Sequence, residues 1–194
     1  MGVSVGSGEG FDVGLFVGGV VGIQVGDWEG RFVGEKDGGG VAAGAGANIA
    51  LACDITIAKE SASFIQAFSK IGLIPDSGGT FFLPRLIGMQ KALALMMTGD
   101  KVSTTEAEKL NMIYKVVEDE SFDEEIKNFA NQLAIMPTRG LGLTKKAVNL
   151  GLFNSLEDQL DVEEKIQVEA GSTEDFAEGV AAFLQKRQPK FKGK

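Results

Sequence analysis

A chain of 194 residues, 44% hydrophobic and 24% charged, is long enough for a compact domain with its own core and has an ordinary globular composition. Its 19 basic and 27 acidic residues leave a net charge of −8, which opposes general affinity for nucleic acid or anionic membrane, since both need a positive field. No histidine is present, which excludes Ser-His-Asp and Cys-His machinery and leaves acid–base chemistry to Asp, Glu, Lys, Tyr or backbone groups.

Residues 1–40 carry glycine at every fourth position from Gly2 to Gly38. A helix would lose about 1 kcal/mol at each glycine relative to alanine, so short strands or poorly ordered chain are expected here. In an extended chain the glycines share one face and Val3, Val5, Phe11, Val13 and Leu15 lie on the other. The period itself suggests no function.

From residue 41 the composition becomes ordinary. The small residues Val41–Ala47 lead into a helix expected over 46–53, followed by a β-branched strand over 54–58. Cys53, the single cysteine, sits in an apolar run and reads as a buried structural thiol. Pro75-Asp76-Ser77-Gly78-Gly79 signals a turn. A helix is expected over 89–98. Ser103 and Glu106 have the spacing of a capping box opening another, which closes at Asn111. After a strand over 113–117, Ser121 and Glu124 suggest a second capping box ahead of the apolar face Phe122, Ile126, Phe129, Ala130 and Leu133. Helices are also expected over 139–152, 155–171 and 174–187. The boundaries drawn are 1–40 for the glycine-periodic segment, 41–135 for an α/β portion and 136–194 for a helical region.

No apolar stretch approaches the ~20 residues needed to span a bilayer, and no basic-then-apolar leader is evident, so a cytoplasmic location is the default expectation. The basic residues of the tail are Lys186, Arg187, Lys190, Lys192 and Lys194.

Two segments could carry chemistry. The glycines and alanines around Ala45 sit at a helix start, where free amides can bind an anion or a developing oxyanion; the alternative is that they only permit tight packing. Asp76 is either a turn aspartate or a carboxylate beside an apolar pocket formed by Ile71, Leu73, Ile74, Phe81 and Phe82, where burial would raise its pKa and suit it to proton transfer.

Three runs stand in order: VAAGAGANIALACD at 41–54, ASFIQAFSKIGLIPDSGGTFFLPRLIG at 62–88 and ALALMMTGDKVSTTEAEKLNMIYKVV at 92–117. Together with Phe183–Arg187 near the end, they resemble successive signatures of the enoyl-CoA hydratase/isomerase, or crotonase, family. The resemblance implies an α/β fold with a crotonase-like ββα spiral core, its N-terminal part missing or replaced, and a C-terminal helical trimerisation region. It implies an acyl-CoA substrate, a homo-trimer or hexamer, and no cofactor or metal beyond the coenzyme A of the substrate.

By the same resemblance, the amide of Ala45 donates to an oxyanion hole, with Ala43 and Gly44 beside the substrate. Asn48 and Phe68 take the places of the two glutamates with which hydratases activate and deliver water, and neither can transfer a proton. Asp76, in the run Ile-Pro-Asp-Ser-Gly-Gly-Thr, falls where isomerases of the family that act on dienoyl-CoA and on aromatic-CoA ring epoxides place a catalytic aspartate. Asn48, Phe68 and Ile71 line the substrate pocket, and Lys186 matches a position that can touch a CoA phosphate. No loop of the "F.aG.D" type, the family's source of a second oxyanion donor, occurs in residues 1–40. The expected activity is isomerisation of an acyl-CoA, by double-bond or ring-epoxide rearrangement. The alternatives are an enoyl-CoA hydratase and a catalytically silent chain that keeps an assembly surface.

Overall fold

The structure, a computed structural model, describes residues 11–17, 20–25 and 40–194, with side chains from residue 40 onward. Among the described residues, 40–128 and most of the first two strands form one compact unit, and 129–194 form a second.

The first unit holds two sheets. In one, β1 (Phe11–Val17), β2 (Val20–Val25), β4 (Ile55–Lys59) and β7 (Lys115–Val117) lie in that order. β2 runs antiparallel to β4, with Val21 opposite Ile57, and β4 runs parallel to β7, with Ala58 opposite Val116. The extended conformation expected of the glycine-periodic segment is met over β1 and β2, which contain Gly14 and Gly22; the rest of the period lies outside the described residues.

In the other sheet, β5 (Ser63–Ile65) is central, parallel to β3 (Val41–Ala43) and antiparallel to β6 (Lys101–Ser103). The register sets Phe64 between Ala42 and Val102. All three are buried in a core they share with Ala47, Ala50 and Leu51 of α1 (Ala45–Leu51), Leu83 of α2 (Gly79–Ile87), and Ala92 and Met96 of α3 (Met89–Thr98). The alanines let α1 approach its neighbours closely, while Phe64 and Leu83 supply volume. Two buried threonine hydroxyls are matched, Thr56 Oγ1 donating to Ala50 O at 2.8 Å and Thr104 Oγ1 to Glu60 O at 2.9 Å, whereas the buried Ser63 and Ser69 hydroxyls have no partner among the described residues.

The cap expected at Ser103 is present. Its Oγ accepts from the Glu106 amide at 3.2 Å and opens α4 (Thr104–Lys109), and Asn111 takes the left-handed conformation after it, at φ 58°. The cap expected at Ser121 is absent. Its hydroxyl donates instead to Glu118 O at 3.3 Å, closing a turn ahead of α5 (Phe122–Ala134), within which the boundary between units falls.

α2 is an addition to the sequence-based expectations, and Pro84 lies inside it. The helix holds because Leu83 is fully buried, and because Arg85 stacks 3.6 Å above the Phe81 ring while donating to Phe81 O at 2.9 Å.

The second unit is helical: α6 (Thr138–Gly151), α7 (Leu156–Gly171) and α8 (Glu174–Gln185), within two residues of the expected spans. Ser155 and Thr173 cap the last two through Asp158 N and Phe176 N, each at 3.1 Å. Past α8 the chain folds back along it. Asp175, buried, accepts from the amides of Lys192 at 2.7 Å and Gly193 at 2.9 Å, and its own amide donates to Lys194 O. Glu178 accepts from both terminal Arg187 guanidinium nitrogens, at 2.6 and 2.8 Å, and from the Lys190 amide at 2.8 Å.

The Arg187 hydrogen bonds, with that of the Lys190 amide, pull the Glu178 carboxyl from its ordinary 4.5 down to about 2. A carboxylate depressed in the folded state stabilises fully above the unfolded value and ceases to do so as pH falls through the folded one. The protection of the amides of residues 190–194, their exchange measured relative to the same unstructured peptide at each pH, is therefore expected to fall as pH drops from about 4.5 to about 2. In Glu178→Gln, that protection should lose its dependence on pH across this range.

Candidate active site

Of the expected site residues on the first unit, Asn48 and Asp76 are joined directly, through the Asn48 side chain. β3 ends at Ala43, which is exposed, and the chain turns at Gly44, with φ 53° and ψ −123°. Glycine suits this point because φ is positive; the Phe68 ring lies at ordinary contact distance, 3.5 Å from where a Cβ would stand. The Gly44 amide donates to Ile65 O at 2.9 Å, which fixes the turn to β5. α1 then begins at Ala45 with no side-chain cap, leaving its first-turn amides, Ala45's among them, without a side-chain acceptor.

Asn48 sits one turn later, fully buried. Its Nδ2 donates to the backbone carbonyl of Asp76 at 2.9 Å, and its Oδ1 accepts from Gln66 Nε2 at 2.7 Å. Both ends of the amide are thus engaged with protein. Phe68 is buried in the 3₁₀ turn Ala67–Ile71.

Asp76 stands on a tight turn closed by Gly79 N–H to Asp76 O at 2.8 Å, with Ser77 at φ 49° and Gly78 at φ 78°. Two consecutive positive φ values around an i to i+3 bond define a type I′ turn. The Ser77 hydroxyl donates to Asp76 Oδ1 at 3.0 Å. The carboxylate is exposed, contrary to the expectation of a buried acid in an apolar pocket. The reason is local: the turn lifts Asp76 off α2, and Ile71, Leu73 and Ile74 before it are themselves exposed, Ile74 by 81%. Phe81 and Phe82 stack edge to face on each other, 5.1 Å apart, instead of walling in the carboxylate.

Ile71 closes the 3₁₀ turn and is 73% exposed, an apolar surface beside the Asp76 turn in sequence. Lys186 belongs to the second unit, exposed at the C-terminus of α8 with φ 51°. The second unit also holds a groove of about 620 Å³ between α6 and α7, lined by Leu143, Ala147, Leu160 and Ala170 among others, which contains none of the expected site residues. No cluster of three metal-ligating side chains occurs among the described residues.

Two residues that hold this arrangement together escaped the sequence reading. Gln66, 2% exposed, orients Asn48. Its signal was a long polar side chain between Ile65 and Ala67 in an otherwise apolar run. Gly79 lies so close to Asn48 that a Cβ there would stand 2.2 Å from Nδ2. Its signal was the second glycine of Gly78-Gly79, beyond what the turn alone requires.

Residues 39–194 match the model of the enoyl-CoA hydratase/isomerase family. The chain belongs to that family. It is 50% identical over 148 residues to the 1,2-epoxyphenylacetyl-CoA isomerase of Escherichia coli, covering 76% of this chain and 56% of the relative. It is 39% identical over 148 residues to a trans-2-decenoyl-[acyl-carrier-protein] isomerase of Streptococcus mutans, with the same coverage of 76% and 56%. Among solved structures, the enoyl-CoA hydratase of Bacillus anthracis superposes with a TM-score of 0.77 at 35% identity, over 80% of this chain and 60% of that one. The fold is therefore crotonase-like, as the signatures implied. The chain spans somewhat over half the length of these relatives. Among the described residues, no helix is long and apolar enough to cross a membrane.

Proposed function

We propose that this chain carries the proton-transfer half of an isomerase site for acyl-CoA thioesters, with Asp76 as acid and base. The observation that carries this reading is the hydrogen bond from Asn48 to the Asp76 carbonyl, which ties the aspartate's turn to the first turn of α1. An α1 start with no side-chain cap and an exposed carboxylate thus stand on two linked elements.

In the proposed step, the Asp76 carboxylate removes a proton from the carbon next to the thioester carbonyl of a β,γ-enoyl-CoA. The electron pair moves into an enolate whose negative oxygen is held by the Ala45 amide. Asp76, exposed and open to exchange with solvent, then delivers a proton at the γ-carbon, leaving the conjugated α,β double bond. The exposed Ile71, Leu73 and Ile74 offer apolar surface to the acyl group, and Gly44 lets the thioester approach backbone closely. The 50% identity to an isomerase of an aromatic ring epoxide favours an aromatic CoA thioester as the finer substrate class. Hydration is the weaker reading, because Asn48 and Phe68 stand where hydratases use two glutamates. The exposed apolar side chains of the second unit, Phe153, Leu156, Phe176, Phe183 and Leu184 among them, suit association into a trimer or hexamer.

Incubation with a β,γ-enoyl-CoA should raise the ultraviolet absorbance of the conjugated product, whereas an α,β-enoyl-CoA should keep its absorbance. Loss of the conjugated absorbance by water addition, with no β,γ conversion, would reverse the assignment to hydratase.

A further inference from the structure

We propose that Asn48 is a positioning residue: it holds the Asp76 turn in its reactive register through the Asp76 backbone carbonyl, with Gln66 orienting it. This inference rests on the reading of Asp76 as the proton carrier.

The direction of the hydrogen-bonded chain follows from chemistry alone. A backbone carbonyl only accepts, so Asn48 must present Nδ2 to Asp76 O. Its other end is then an acceptor, and Gln66 must present Nε2 to it. Reversing either amide would set two donors or two acceptors against each other. The Asp76 carbonyl consequently receives two donors, Asn48 Nδ2 at 2.9 Å and the Gly79 amide at 2.8 Å.

The turn needs such a hold. Ser77 is one of three non-glycine residues with positive φ among the described residues, and it adjoins the proposed proton carrier. A backbone in that region persists where its surroundings over-determine it. Here the surroundings are Asn48 on one side and Gly79, packed against the Asn48 amide, on the other. Asp76 itself is exposed, with Ser77 Oγ on its carboxylate, so the backbone of the turn is what fixes where the carboxylate stands.

Gln66 supplies the second observation. It is buried, yet its Oε1 has no hydrogen-bond partner among the described residues. For stability alone, an apolar side chain of the same length would avoid that orphaned oxygen. The group that accounts for a glutamine here is Nε2, which locks the Asn48 amide toward Asp76.

The test replaces both amides together, Asn48→Leu with Gln66→Met, since removing both partners for apolar groups of similar shape leaves no new unpaired donor or acceptor. Asp76→Asn is measured beside it, with kcat and KM for β,γ-enoyl-CoA isomerisation and amide exchange across residues 77–80. The double variant is expected to keep its fold and a KM within about twofold, to lose about 10- to 100-fold in kcat, and to exchange faster across the turn. Unchanged kcat in the folded double variant, with Asp76→Asn inactive, overturns the positioning role and leaves the Asp76 reading standing. Full turnover by Asp76→Asn, or none by the original chain, overturns that reading and the positioning role with it.

Discussion

Asp76→Asn is expected to reduce isomerisation of a β,γ-enoyl-CoA by about 10²–10⁴, the range a positioned general acid–base group supplies. The substitution removes the proton acceptor and little else. Asp76 is exposed, and an asparagine Oδ1 can still accept the Ser77 hydroxyl that now reaches Asp76 Oδ1 at 3.0 Å. Asparagine is also at home in tight turns, and the two bonds to the Asp76 carbonyl come from the backbone of Gly79 and the side chain of Asn48. The melting temperature should therefore stay within the small scatter of surface substitutions while turnover collapses. Circular dichroism melting and the initial rate of conjugated-product absorbance, on one preparation, measure both.

Phe64→Ala should have the largest effect on stability, a loss of about 3–5 kcal/mol. Phe64 is 1% exposed at the centre of the three-stranded sheet, where its cross-strand neighbours are Ala42 and Val102. Neither is long enough to fill the space its ring leaves. The layer behind is built largely of alanines, Ala47 and Ala50 of α1 among them, with no rotamers to spend in collapsing onto a cavity. Urea denaturation should show a lower midpoint, and catalysis in the surviving folded fraction should fall as well, because Gly44 hangs from β5 through Ile65 O. A midpoint unchanged within error would mean that the core does not rest on Phe64.

The helical second unit was the more legible part. Serine and threonine caps and apolar spacing set α7 and α8 nearly where they lie, because those signals are local and nothing distant overrides them. α2 was hidden by its own chemistry. Pro84 and the Gly78-Gly79 pair both argue against a helix, and only burial of Leu83 and the Arg85–Phe81 contact, both tertiary, outweigh them. β5 and β6, three residues each, are too short to show alternation; they are strands because β5 pairs with β3 on one side and with β6 on the other.

The site divided along the same line. Gly44, Ala45, Asn48 and Asp76 could be put forward as candidates because motif and turn chemistry are written in consecutive residues. The exposure of Asp76 could not be read, since apolar neighbours in sequence do not say which way they face. Gln66 and Gly79 were missed because what matters about each is its contact with Asn48, and 18 residues separate Gln66 from it.

The most direct test of the Asp76 assignment is proton exchange itself. A β,γ-enoyl-CoA is incubated with the protein in deuterium oxide, and the protons next to the thioester carbonyl are followed by nuclear magnetic resonance. The account predicts deuterium entering that position and the γ-carbon with the original chain, and neither with Asp76→Asn. Exchange that proceeds equally in the variant would contradict it, and would assign the proton transfer to another group.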